Sequence, residues 1–120
     1  MTHRRKGLRY ERIARTFLEQ QGLVHLESNY HCRFGEVDLI MRQGKTICFI
    51  EVKYRNSLAF GGAAYTISKQ KQRKIIKSAL CYNASTSTET PCRFDALLLQ
   101  GGPDQTSEIN WIQGAFDATD

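Results

Sequence analysis

The segment TICFIEVKY, residues 46–54, is apolar enough for a buried strand, yet it carries Glu51 and Lys53. Side chains two apart on a strand share a face, so this carboxylate and amine stand side by side, roughly 6–7 Å apart along the chain. Buried charge is costly unless it is paired or binds a metal. The preceding segment GEVDLIMR, residues 35–42, adds Glu36 and Asp38, and Gln43-Gly44 between the two is a hairpin signal. With Gln43 and Gly44 as a two-residue loop, Asp38 falls opposite Phe49, on the face of Glu51 and diagonal to it, and Glu36 falls directly opposite Glu51. A three-residue loop would send Asp38 to the other face. Glu11, at the edge of the apolar stripe of a first helix, can point toward the same place.

Clustered carboxylates repel. Two of them about 5 Å apart cost roughly 3 kcal/mol at an effective dielectric of 20, and Lys53 offsets only part of this. Either some carboxyls take up protons or a cation binds, and oxygen ligands suit Mg²⁺ or Mn²⁺. A divalent ion beside a phosphate can polarise it and activate a water, while Lys53 orients that water or stabilises the charge that develops. That chemistry is phosphodiester hydrolysis. The plainer alternatives are an ion pair between Glu51 and Lys53, a bond from Glu11 to Arg15 at i+4, and an outer role for Glu36.

The elements that must position these groups follow from periodicity. Tyr10, Ile13, Ala14, Phe17 and Leu18 predict an amphipathic helix over 8–21 stopped at Gly22. Residues 23–34 alternate as one or two short strands with a possible break at Ser28-Asn29. Strands at 35–42 and 46–54 follow, then a loop over 54–67 with Gly61-Gly62. Ser68 is placed to cap a helix from 69 to about 83 with Ile75, Ile76, Ala79 and Leu80 inside. After a polar connection, strands are expected at 92–99 and 108–113, with a tail after Gly114 in which Phe116 packs loosely. The order α-β-β-β-α-β-β implies one α/β domain over 1–120, a mixed sheet flanked by helices, with flexible ends at about 1–7 and 117–120.

Charge is unevenly distributed. The net is +5, but residues 1–77 carry 16 of the 17 Lys and Arg against six acids, and the remainder carries Arg93 against six. The basic portion fits a polyanionic partner. In the second helix Lys69, Lys71, Arg73, Lys74 and Lys77 crowd the early turns, where they oppose the macrodipole and where phosphate would be favoured by side chains and free N–H groups together. Arg55, just past its strand, either contacts phosphate or covers an edge. No apolar run approaches the roughly 20 residues of a membrane span, and the basic N-terminus lacks the apolar stretch of a signal peptide, so a cytoplasmic protein is expected. Cys32, Cys48, Cys81 and Cys92 have no C-x-x-C spacing and read as reduced thiols. His3, His25 and His31 have no ligand-like spacing, Arg93 and Asp95 form a candidate ion pair, and Trp111 reads as core.

At Asp38, Glu51 and Lys53 the chain resembles the D…E-x-K signature of restriction-endonuclease-like nucleases. GEVDLIMRQGKTICFIEVKYR, then FGGAAYTISKQKQRKI, then RFDALLL, resembles the bacterial YraN family, itself similar to archaeal Holliday-junction resolvases. The likeness runs from Tyr10 to Phe116. It implies a restriction-endonuclease-like core and a magnesium-dependent endonuclease, a DNA-binding hydrolase that cuts duplex or branched DNA. The alternative is a nucleic-acid-binding module that retains the site without cleaving. By the resemblance Glu11 is the first-helix acid, Asp38 and Glu51 are metal ligands with the backbone carbonyl of Val52, and Lys53 is the catalytic lysine. Resolvases of this type act as homodimers. The chain departs from the family pattern with Tyr10 before Glu11, where Gly is common, and with Tyr65 near a position that is often acidic.

Overall fold

A computed structural model describes residues 3–55, 67–86, 90–102 and 105–118. The order is α1 (His3–Gln20), β1 (Val24–Cys32), β2 (Gly35–Gln43), β3 (Thr46–Arg55), α2 (Lys69–Thr86), β4 (Cys92–Gly102) and β5 (Gln105–Phe116). The α/β fold and its α-β-β-β-α-β-β order are those expected. The strands form one five-stranded sheet in the order β1-β2-β3-β4-β5. Only β3 and β4 run parallel, because α2 carries the chain back between them while hairpins make the other pairs.

Each helix covers one face. Tyr10, Ala14 and Leu18 of α1 pack with Leu39, Met41, Cys48, Ile50, Leu97 and Leu99. Ile75, Ala79 and Tyr82 of α2 pack with Ile40, Ile47, Phe49, Phe94 and Ala96 on the other face. The sheet's central strands, covered on both sides, therefore read as apolar runs. At the end of α1, Leu23 N–H bonds Leu18 O at 3.1 Å and Gly22 N–H bonds Glu19 O at 3.0 Å. Gly22, at φ 95°, supplies the left-handed residue that this pattern requires.

Several boundaries differ from expectation. Helix α1 begins at His3. Ser28-Asn29 is a kink rather than a break: β1 runs on through Asn29, at φ 51°. Helix α2 extends to Thr86. Phe116 belongs to β5, opposite Phe94 and stacked on its ring at 4.9 Å, rather than to a loose tail. The expected loop with Gly61-Gly62, and Tyr65 within it, lie outside the described residues.

The β2–β3 register also differs. Gln43 pairs with Thr46 and Ile40 with Phe49, so the turn is Gly44-Lys45 and not Gln43-Gly44. Gly44 has φ 60°, and a tight hairpin with glycine first is a type II′ turn. The frame thus moves by two residues, which preserves the faces within the ladder. Beyond its end Val37 packs with Ile40 on the α2 face, while Leu39 and Met41 face α1. Asp38 stays on the side of Glu51 and moves toward it, and Glu36 moves away.

Candidate functional site

Glu51 lies on β3 after Ile47 and Phe49, on the face that α2 covers, and is only 4 % exposed. Its cationic partner comes from the helix. Lys71 Nζ lies 2.5 Å from Glu51 Oε1. Ser68 makes this meeting possible. Its hydroxyl accepts the Lys71 N–H at 3.2 Å and its carbonyl accepts the Gln72 N–H at 2.9 Å, which caps α2 at residue 69. Lys71 is thereby set in the first turn, above the C-terminal half of β3. A lysine there opposes the macrodipole, and the buried carboxylate beneath it offsets that cost.

Asp38 joins the pair from β2. The β2–β3 ladder ends at Leu39 and Ile50, and beyond it Val52 N–H donates to Asp38 Oδ2 at 2.8 Å. The carboxylate thus takes the place of a ladder carbonyl where the strands separate. Burial pushes the Asp38 carboxyl up to about 6, against the Val52 N–H bond, with the charge of Glu51 adding to the rise and Lys71 opposing it. Partial burial works against the Lys71 ammonium, but its hydrogen bond to Glu51, with the charges of Glu51, Asp38 and Glu36, outweighs this and raises its pKa.

The other residues singled out by type and spacing fall elsewhere. Lys53 is exposed on β3. Glu11 is half-buried and accepts a short hydrogen bond from Asn29 Nδ2 of β1, while Arg15 bonds Glu19 instead, at 3.3 Å. Glu36 is exposed and pairs with His31 Nε2 at 2.7 Å. Arg55 is half-buried at the end of β3, and Lys69, Arg73, Lys74 and Lys77 are exposed on α2. Lys77 Nζ lies 5.8 Å from the ring centroid of Phe34, and Arg33 stands over the same ring at 4.8 Å. By type and position in α2, Lys71 belongs with the expected phosphate contacts, yet it turns to Glu51. The signal for its second position was available in Ser68: a capped helix that follows β3 directs its first turn to the carboxyl end of that strand, where α/β folds hold their sites.

A second ion pair, expected between Arg93 and Asp95, forms away from this cluster at 2.8 Å. Asp95 also accepts from Trp111 Nε1 and the Gly114 N–H, each at 3.0 Å, and Arg93 Nη1 reaches Gln43 Oε1 at 2.6 Å. These bonds satisfy a wholly buried carboxylate, which marks it as part of the framework.

Among the described residues, no three or more His, Cys, Asp and Glu side chains stand close enough together to hold a metal ion. The cluster offers two carboxylates. Mg²⁺ commonly takes one or two carboxylates and completes its shell with water and phosphate, so the donor chemistry fits a hard divalent ion. No described helix is long and apolar enough to cross a membrane.

The fold and the cluster define a class: a mixed-sheet α/β protein with an acid pair held under the first turn of a basic crossover helix. The chain belongs to the uncharacterised protein family UPF0102, the YraN family, whose pattern matches residues 10–99. It is 50 % identical over 112 residues to a UPF0102 protein of Nitrosomonas europaea, covering 93 % of each chain. A relative from Nitrosospira multiformis is 49 % identical over 117 residues, covering 98 % of this chain and 97 % of its own. One from Pseudomonas syringae pv. syringae is 38 % identical over 119 residues, with the same shares.

Proposed function

We propose that this protein is a cytoplasmic, metal-dependent endonuclease of restriction-endonuclease-like type that hydrolyses DNA phosphodiester bonds, with branched or junction DNA among its substrates. The observation that carries the reading is the pairing of Asp38 with buried Glu51. Burial and the charge of its neighbour make Asp38 harder to ionise than a free carboxyl, with its pKa pushed up to about 6, so the cluster gains from added positive charge. Asp38, Glu51 and the Val52 carbonyl would hold Mg²⁺ or Mn²⁺, which supplies Lewis-acid polarisation of the phosphate and a more acidic water. Lys53, exposed beside the cluster, orients the water or meets the charge on the phosphate. Lys71 leaves Glu51 for the substrate. Glu11 contributes only on release from Asn29, and Glu36 lies further out. Lys69, Arg73, Lys74, Lys77 and Arg55 contact phosphates, and a homodimer would present two such sites to a two-stranded junction.

The second reading, a nucleic-acid-binding module without cleavage, is favoured by the ion pair itself. Lys71 already neutralises Glu51 at 2.5 Å, so the cluster has one internal cation without any metal. Incubation with branched, duplex and single-stranded DNA, with and without Mg²⁺ or Mn²⁺, separates the two. Metal-dependent cutting that disappears in Asp38→Ala and Glu51→Ala while binding persists supports the nuclease. Binding without cutting under every condition leaves the module, and absence of both removes each reading.

A further inference from the structure

A second reactive cluster lies at the junction of the β1–β2 turn with α2. Cys32 ends β1, and its Sγ lies 3.4 Å from Ser78 Oγ. The Cys81 thiol is the sulfur neighbour of Cys32, near enough for each to influence the other's titration. Cys81 follows Ser78 by one helical turn, so both face the same side of α2. Between the two elements the fit is close. A Cβ added at Gly35 would stand 3.5 Å from Lys74 Cβ and 3.7 Å from Ser78 Oγ, and Gly35 has φ 151°. The turn therefore lies against the stripe of α2 that runs from Lys74 through Ser78 to Cys81, with room between them for no more than a methyl group. Both sulfurs are free and half-buried.

The surroundings of the two sulfurs differ in a way that divides their roles. With Cys32 protonated, its S–H points to Ser78 Oγ, whose own hydroxyl bonds Lys74 O at 2.8 Å. On deprotonation that hydroxyl can turn to the sulfur, since a hydroxyl hydrogen rotates to suit its partners. Ser78 first, then the backbone N–H groups of Phe34 and Gly35 and the Cys81 thiol, lower the Cys32 pKa against burial. Cys81 has the opposite bias: burial first, then the neighbouring Cys32, raise its pKa, and the charge of Arg33 opposes them. A nucleophilic thiolate beside a second thiol is the arrangement of a peroxide-reactive dithiol.

We propose that Cys32 and Cys81 form a hydroperoxide-reactive dithiol that closes to a disulfide and fastens the β1–β2 turn to α2. The Cys32 thiolate attacks one peroxide oxygen. An S–O bond forms, the O–O bond breaks, and the departing hydroxide takes up a proton as water, leaving a sulfenic acid. Cys81 then attacks the Cys32 sulfur. The S–S bond forms, the S–O bond breaks, and a second water leaves with the Cys81 proton. The two thiols together lose two electrons, and the peroxide gains them. The step is independent of the nuclease reading, although the fastened helix is the one that carries Lys71.

The test uses the full chain, hydrogen peroxide in slight excess at neutral pH, blocking of residual thiols after denaturation, and peptide mapping. The expected product has lost two of the four thiols, contains a dithiothreitol-reversible cross-link between the peptides of Cys32 and Cys81, and shows slower amide exchange over residues 32–36. Cys32 should react about tenfold faster than the more exposed Cys92, because its greater thiolate character outweighs the difference in exposure. In Cys81→Ser the reaction stops at a Cys32 sulfenic acid that dimedone captures, and in Cys32→Ser residue 81 stays unmodified. Preferential oxidation of Cys92, or accumulation of an uncross-linked Cys32 sulfinate in the unsubstituted chain, would overturn the proposal.

Discussion

Val52 N–H donates to Asp38 Oδ2 at 2.8 Å where the ladder between β2 and β3 has ended. One carboxylate therefore serves two purposes. It closes a backbone donor in the sheet and stands beside Glu51 as a candidate ligand, and the first purpose holds it in position for the second.

Asp38 should make stability fall as pH rises. Its folded pKa, about 6, lies above the ordinary 3.8, so the native state binds the proton more tightly than the unfolded chain. The resulting stability is present below the unfolded value and is lost as pH passes through the folded one. Asp38→Asn keeps an acceptor for Val52 and removes the charge. It should add about 1–2 kcal/mol at pH 7 and little at pH 3.5, measured by urea unfolding at both.

Lys71→Met removes the cation that pairs with Glu51 and acts on Asp38. The buried Glu51 loses this ion pair, and stability at pH 7 should fall by about 1–2 kcal/mol, less than for a fully buried pair because Lys71 is half in solvent. The Asp38 carboxyl should titrate still higher. Glu51→Gln should have the reverse effect on Asp38, and carbon-detected NMR titration of the carboxyls reads both changes.

Mg²⁺ should raise the unfolding temperature of the unsubstituted chain through ligation by the native state alone. Asp38→Asn and Glu51→Gln should each remove most of that rise while leaving the spectrum of the folded protein unchanged. Thermal scans with and without Mg²⁺, repeated with Ca²⁺ as a control for simple charge, check this.

Replacing Lys69, Arg73, Lys74 and Lys77 together by Ala should reduce the salt dependence of DNA binding. Every cation that no longer reaches a phosphate lowers the slope of log K against log salt by about 0.9. The fold should survive, because all four side chains are exposed on α2. Fluorescence anisotropy across a salt series measures the slope.

Asp95→Ala should be the most destabilising of these changes, by about 3 kcal/mol, because it strands the Arg93 guanidinium and leaves the Gly114 N–H and Trp111 N–H without their acceptor. Loss of the unfolding transition at lower urea, followed by Trp111 fluorescence, is the readout. Metal binding at Asp38 and Glu51 should be unchanged in the folded variant.

Sequence periodicity was enough for both helices, because Ala14 and Leu18, or Ile75 and Ala79, recur at helical spacing and each helix buries one stripe. It was enough for the strand identities as well, and for the nearness of Asp38 to Glu51, whose charge acts on it. The frame itself was misjudged at Gln43-Gly44, where glycine is the first and not the second residue of the turn. Glu11 looked free to join the acids from its helical position. Its attachment to Asn29 depends on a left-handed residue in β1 that alternation does not reveal.

What the amino-acid order determined alone was therefore local: which segments are helix or strand, which side chains share a face, and that acids and a concentration of cations lie in the same portion of the chain. Tertiary structure decided the partnerships. Lys53, the neighbour in sequence, is exposed, and Lys71, twenty residues beyond Glu51, holds its carboxylate. The reason is geometric. Side chains two apart on a strand can pair, as Arg93 and Asp95 do, but the spacing does not enforce it, and Lys53 is turned to solvent. A capped crossover helix, by contrast, brings its first turn down on the strand it follows.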